Sequence, residues 1–414
     1  MKAFAATSKW KKGRRVSAKA LGPSVVDITL DMNWYDSWLA QQLENLPSCV
    51  RDLNVTGGSP VEKPHLDQLI HAIEDFIKLE EVVTIDGIAK YLGKLEVFES
   101  EDDLLPAQKL LIFAVLGWRS MLYQASFNTC SIKEFAVHRD SDQPHSGLVF
   151  DTYRVPAHLS NRPLWVLLKA FGNLLPARDP TAPQLASENG KLVSSWMPLY
   201  PMETNAYLLN ALLRVRIRWV DSLALHLDYD KSTRTLSLFA YPSFCLEMLS
   251  SEGAIHSFAS VDRSGIDPRA NKDGVSHLLL EVLLSYRLLF GQSAKSRKLF
   301  RQSFQPPGKA GCRIDSILPL LCTRNQIPFS QSLGMPADKP IYFASQDFPI
   351  LQERIEIIAK ELKDSRPSSL SSLIRDRRDT LQFWTFWLVL IIGGISTVLS
   401  LTQVILQAVQ LIQS

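Results

Sequence analysis

FWTFWLVLIIGGISTVLSLTQVIL, residues 383–406, sets the architecture of the whole chain. It carries no charge, and neither does any other residue from Leu381 to Ser414. As a helix rising ~1.5 Å per residue it would be about 36 Å long, enough to cross a hydrocarbon core of ~30 Å with some tilt. Phe383, Trp384, Phe386 and Trp387 stand at one end, where aromatic rings favour the headgroup region. Arg375, Arg377 and Arg378 come just before, and no charged side chain follows. The positive-inside bias therefore predicts a single-pass protein with its N-terminal mass in the cytosol. With so short a tail after the span, the sequence predicts insertion once synthesis ends, the tail-anchored mode. The lack of basic residues beyond the span favours the endoplasmic reticulum over the mitochondrial outer membrane.

A second pattern lies inside the first. Gly393, Ser396, Ser400, Gln403, Gln407, Gln410 and Ser414 follow one another at spacings of 3, 4, 3, 4, 3 and 4. That is one seam of a helix, the a/d positions of a heptad. Small residues let two backbones approach, and glutamine amides hydrogen-bond across helices in lipid. An amide facing hydrocarbon alone is expensive. The seam therefore predicts a homo-oligomer or a partner's transmembrane helix; the plainer alternative is that the last glutamines wet the far end of the helix.

Working towards the N-terminus, 414 residues with 46% apolar and 21% charged side chains make an ordinary globular chain, long enough for a large core. Basic and acidic residues number 45 and 42, a net charge of +3, which gives no overall reason to expect nucleic acid. Cys49, Cys130, Cys245, Cys312 and Cys322 are odd in number and scattered, as reduced thiols would be. The first twenty residues hold no apolar run of the kind a secretory signal needs. They form instead a basic arm, with Lys2, Lys9, Lys11, Lys12, Arg14, Arg15 and Lys19 preceding the first acid, Asp27.

The predicted order is a disordered arm over 1–20, a helical subdomain over 21–138, and a Pro-rich connecting region over 139–200 with one helix. An α+β subdomain over 201–345 follows, then juxtamembrane helices over 346–380, the span over 381–406 and a tail over 407–414. Leu66, Leu69, Ile70, Ile73 and Ile77 make an apolar stripe on a helix over 64–79 that Pro64 opens. Residues 86–93 resemble the first helix of a helix-turn-helix, but the segment beyond them holds Glu96, Glu99, Glu101, Asp102 and Asp103, which phosphates repel. A core helix over 106–122 comes next. Strands are predicted at 216–220 and 235–241 with turn residues between them, and Asp221 as the cap of a short helix. Helices follow at 275–290, 293–304, 315–322, 351–362 and 368–380. The fold class is α+β: a mainly helical soluble region with a small β hairpin or sheet, plus one C-terminal transmembrane helix.

Catalytic grammar is thin. His138, Asp140, Asp142 and His145 are the densest set of potential metal ligands, but their spacing fits no common site and a solvated loop explains them as well. His138-Arg139-Asp140 has a kinase-like look without the Gly-rich loop, the partner lysine or the downstream asparagine, which is His145 here. Asp221 and His226 are a weak acid–base pair, more simply a cap and a packed histidine. No phosphate loop, nucleophile elbow or zinc spacing is present, so no cofactor is expected.

Several stretches, LIFAVLGWRSMLY (111–123), RPLWVLLKAFGNLLPAR (162–178), IRWVDSLALHLDYDKSTRTLSLFAYPSFC (217–245), LLSYRLLFGQSAKSRKLFR (283–301) and RDRRDTLQFWTFWLVLIIGGIS (375–396), resemble an uncharacterised family of fungal proteins. The resemblance covers about residues 105–405 and implies a fungal source and a C-terminal anchor; it brings no activity or ligand. The expected function is a tail-anchored membrane protein whose cytosolic domain binds other proteins, as an adaptor or receptor. The alternative is a membrane-anchored enzyme with its site in the Pro-rich loops.

Overall fold

The computed structural model describes residues 32–53, 63–98, 105–127, 133–138, 152–172, 174–175, 197–251, 253–259, 272–306, 314–324, 337–365 and 380–413. The basic arm, Asn54-Val55-Thr56 (an N-glycosylation sequon), Cys130, Cys312 and residues 368–379 of the last helix predicted before the span lie outside them.

Helices form where the apolar period predicts, and a few where it was not read. They are α1 (Asn33–Glu44), α2 (Ser48–Arg51), α3 (Lys63–Leu79), α4 (Ile85–Lys94), α5 (Leu105–Ser120), α6 (Leu164–Ala170) and α7 (Ala206–Leu213). After them come α8 (Pro242–Ser250), α9 (Lys272–Tyr286), α10 (Ala294–Leu299), α11 (Ile317–Thr323), α12 (Ala344–Asp347), α13 (Gln352–Asp364) and α14 (Thr380–Gln413). The stripe of α3 is buried as expected at Leu66, Leu69, Ile70 and Ile73, with Phe76 beside Ile77. Thr84 caps α4 by accepting the Gly87 N–H at 2.9 Å. Glu96 then turns left-handed (φ 51°), and 95–98 form no helix, so a recognition helix does not begin where a helix-turn-helix would need one.

Two helices run through the middle of the core. From Leu110 to Leu116 every side chain of α5 is at most 3% exposed. Residues 274–291, α9 and the π-helical turn Arg287–Gly291, are apolar enough to span a bilayer, yet 78% of that window is buried in the body. A second π turn, Phe300–Phe304, extends α10.

The strands are β1 (Glu134–His138), β2 (Thr152–Pro156), β3 (Pro198–Leu199), β4 (Arg216–Val220), β5 (Tyr229–Asp230), β6 (Thr235–Phe239) and β7 (Tyr342–Phe343). The two predicted strands both form, but β4 and β6 run parallel, Arg216 opposite Thr235 and Val220 opposite Phe239. The hairpin belongs to β5 and β6. Its turn is built by Asp230, whose carboxylate accepts from the Ser232 N–H at 2.8 Å and from both the Ser232 and Thr233 hydroxyls. Small antiparallel pairs β1–β2 and β3–β7 complete the sheets.

Buried side chains on either side of 139–200 belong to one apolar cluster, and Val155, Leu164, Leu167, Leu168, Phe171 and Leu199 carry it through that region. Helix α1 ties the two halves. Trp34 stacks on Tyr241 with ring centroids 3.9 Å apart and donates its indole N–H to Ser243 Oγ at 2.8 Å. Trp38 donates to Asp221 at 3.0 Å. Burying aromatic side chains of this size contributes roughly 4–6 kcal/mol each. The cluster closes at Leu362 of α13, and no described side chain of α14 joins it.

Candidate functional site

Of the predicted ligand group the structure describes His138 alone. It ends β1, half-buried, and burial pulls its imidazole below the ordinary histidine range. Asp140, Asp142 and His145 lie outside the described residues. Among the described residues, no three His, Cys, Asp or Glu side chains gather to hold a metal. The Pro-rich loops that would house an enzymatic site, 139–151 and 176–196, also fall outside.

Asp221 and His226 do not meet as an acid–base pair. Asp221 Oδ2 accepts from Trp38 Nε1 at 3.0 Å and Gln124 Nε2 at 3.1 Å. Nor is Asp221 a helix cap: the turn at Leu223–Leu225 starts after Ser222, whose hydroxyl donates to the Leu122 carbonyl at 2.6 Å. With one indole N–H and one side-chain amide N–H within reach, the carboxylate is already served there. His226 is fully buried in a network of its own. Its Nδ1 accepts the Phe239 N–H at 3.2 Å, which leaves the proton on Nε2, facing Ser285 Oγ at 2.8 Å. Burial, helped by the nearby Arg354, drops the ring to about 3. A histidine held neutral this far below physiological pH is a brace, not a proton carrier.

The buried charges at Glu281, Arg287 and Asp315 were not foreseen. Glu281 (2% exposed) accepts the N–H groups of Ile350 and Leu351 at 2.7–3.1 Å and so fixes the start of α13. Arg287 (0% exposed) forks onto Asp338 with Nε at 2.9 Å and Nη2 at 2.5 Å, and its Nη1 donates to the carbonyls of Leu321 and Arg324. Asp315 accepts from the backbone N–H groups of Ser243 and Ile317, joining the starts of α8 and α11, and burial raises its carboxyl to about 6. Glu281 and Arg287 sit in the run LLLEVLLSYRLLFG, and a charge isolated in so apolar a stretch is the signal that predicts a buried partner. Asp315 has no comparable flag. Each of these groups is occupied by the protein's own donors and acceptors, which makes them cross-braces.

Among the described residues, the most exposed apolar surface is that of α14. Its window Trp384–Gln407 has a mean hydropathy of 2.1 and none of it is buried. Leu388, Val389, Leu399, Leu401 and Val404 are each at least 58% exposed. Helix α14 is thus long and apolar enough to cross a membrane. Gly393, Ser396, Ser400, Gln403, Gln407 and Gln410 fall in this one unbroken helix and are all exposed, so the predicted seam exists as a physical row; Ser414 lies outside the described residues. Off that row, Thr397 and Thr402 turn their hydroxyls back onto the carbonyls of Gly393 and Val398, both at 2.8 Å. No protein-family model, no curated protein and no solved structure matches the chain.

Proposed function

We propose that the chain is a membrane-anchored interaction protein: α14 holds it in a bilayer, the body from residue 32 to 364 faces the cytosol, and that body engages other proteins. What carries this reading is a contrast between two apolar helices. Residues 274–291 meet the same length and hydropathy test as α14, but the body buries 78% of them, while none of the Trp384–Gln407 window of α14 is buried. An apolar helix with none of a 24-residue window buried is stable in lipid and a liability in water. Arg375, Arg377 and Arg378 ahead of the span support the cytosolic side, and the endoplasmic reticulum is the proposed membrane. The resemblance to fungal proteins with a C-terminal anchor points the same way. In this reading the seam pairs α14 with a second copy, placing Ser396, Ser400 and Gln403 against their equivalents within the hydrocarbon.

The anchor is tested by breaking it. Ile391→Arg with Ile392→Arg, at the middle of the span, should release the full chain from membranes washed with alkaline carbonate, while the native chain stays in the pellet. A double variant that remains in the pellet would show that something other than α14 holds the protein.

A further inference from the structure

A rigid, greasy loop and a basic helix sit side by side on the body. Met202 is 72% and Tyr200 39% exposed, on the turn that leads into α7. Exposed apolar residues are common singly, but this turn is locked. Asn205, 2% exposed, donates its amide to the carbonyls of Pro201 and Met202 at 2.9 and 3.0 Å. Its amide oxygen accepts from the Leu208 N–H and from Ser296 Oγ, each at 3.1 Å. The Tyr200 carbonyl also takes the N–H groups of Glu203 and Thr204. Met202 is therefore held out from the surface by a backbone with little freedom to fold it back.

Ser296 is the hinge pin to the helix. It is fully buried in α10, donates to Asn205 and accepts the Tyr207 N–H at 3.1 Å. Its burial turns Lys295, Lys298 and Arg301, spaced by three, outward on one exposed face. The Lys295 ammonium lies 4.8 Å from the Tyr207 ring centre. No acid occurs between Glu281 and Asp315 in the chain, and Glu203 is the single acid in 198–213. Arg297, donating to the Gly291 carbonyl, is held below the usual arginine range by burial and then by its neighbours Arg287 and Arg301. Among the described residues, no acid forms a salt bridge with Lys295, Lys298 or Arg301, so this face carries net positive charge.

We propose that Tyr200, Met202 and the Lys295–Lys298–Arg301 face form a second membrane contact, which lays the body against an anionic bilayer surface. The inference rests on α14 being the anchor. A bilayer is the partner that fits both halves: anionic headgroups for the cations, and the boundary of the acyl chains for a thioether and a phenol. An RNA or an acidic protein would use the charge and leave Met202 without a role. The tether makes the contact efficient. The stretch from Asp364 to Thr380 has a contour of at most about 55 Å, so the anchor keeps the body within about its own diameter of the bilayer, at high effective concentration.

The test uses the full chain in lipid nanodiscs, with lysine acetylation read by mass spectrometry. Lys295 and Lys298 should react at least about fivefold more slowly in discs containing phosphatidylserine than in pure phosphatidylcholine, since each cation near an anionic surface contributes about that factor. Lys90 and Lys94, exposed on α4, serve as references and should not change. Met202→Ser should bring the Lys295 and Lys298 rates back towards the phosphatidylcholine values. Equal rates in the two lipids, or protection that appears only on adding RNA or an acidic protein, would overturn the contact. If the chain fails to enter either disc, it is the anchor reading that has failed.

Discussion

Gly291→Ala is the sharpest probe of how the body is held together. Gly291 closes the π turn after α9, and a β-carbon there would stand 2.5 Å from the Arg287 guanidinium carbon and 2.7 Å from the Leu321 carbonyl oxygen. Neither neighbour can retreat cheaply. The guanidinium is fully buried and donates at least four hydrogen bonds, and the carbonyl belongs to the backbone of α11. The methyl must therefore expel the arginine from its cradle. Breaking a buried charge pair costs about 3–5 kcal/mol, and because Asp338 is 32% exposed and can rehydrate, the lower part of that range applies. For the roughly 250 described residues between 32 and 364, an unfolding entropy of about 2.1 cal/mol/K per residue converts 3–4 kcal/mol into a fall of about 6–8 °C in Tm. Differential scanning fluorimetry of the detergent-solubilised chain reads this directly. Gly93→Ala is the control: it lies in α4 with nothing within 4 Å of its would-be β-carbon, so it should be neutral or gain up to about 1 kcal/mol in helix propensity. Equal melting of Gly291→Ala and the native chain would refute the account of Arg287.

Two titrations oppose one another. Asp315 is raised to about 6, so its contribution is present at low pH and lost as pH rises through 6, on the order of 3 kcal/mol; Asp315→Asn should abolish that loss, and an unchanged pH profile of Tm between 4 and 7 would contradict it. His226 is lowered to about 3, so its contribution is present above pH 6.5 and lost on acidification; with Asp315 removed, the acid side of the profile should steepen. Glu281→Ala, which strips the acceptors from the start of α13, should cost about 1–3 kcal/mol in denaturant titration, while Glu281→Gln, keeping one acceptor, should cost less. Replacing Gln403 and Gln407 by leucine should lower dimerisation of α14 in a membrane reporter assay, each amide contributing ~0.6 kcal/mol; undiminished association would remove the seam from the account.

How far the sequence revealed the molecule depends on whether a signal was local. The stripes of α3 and α13, the core helix α5 and the apolar α14 were all legible because periodicity and length are properties of a short window. Helix α1 was missed although Trp34, Tyr35, Trp38 and Leu39 repeat at helical spacing, a signal that the surrounding Asn33, Asp36 and Ser37 dilute. The parallel pairing of β4 with β6 was not legible, since the turn residues between them announce a hairpin and that hairpin is made by the two-residue β5. The braces at Arg287 and Asp315 depend on partners 51 and 72 residues away, beyond any window. Asp221 shows the same limit from the other side: local chemistry offered a helix cap, and Trp38, 183 residues away, took the carboxylate instead. For the candidate site, the row of small and amide side chains on α14 was fully readable, because a single helix converts sequence spacing into geometry without help from the rest of the fold.

The most direct test of the central claim is topology. The full chain with an N-terminal epitope is expressed, microsomes are extracted with carbonate, and intact microsomes are treated with protease. The account predicts a chain that stays in the pellet, loses its epitope to protease and is not glycosylated at Asn54. An epitope protected from protease together with a glycan on Asn54 would place the body in the lumen and contradict the cytosolic reading.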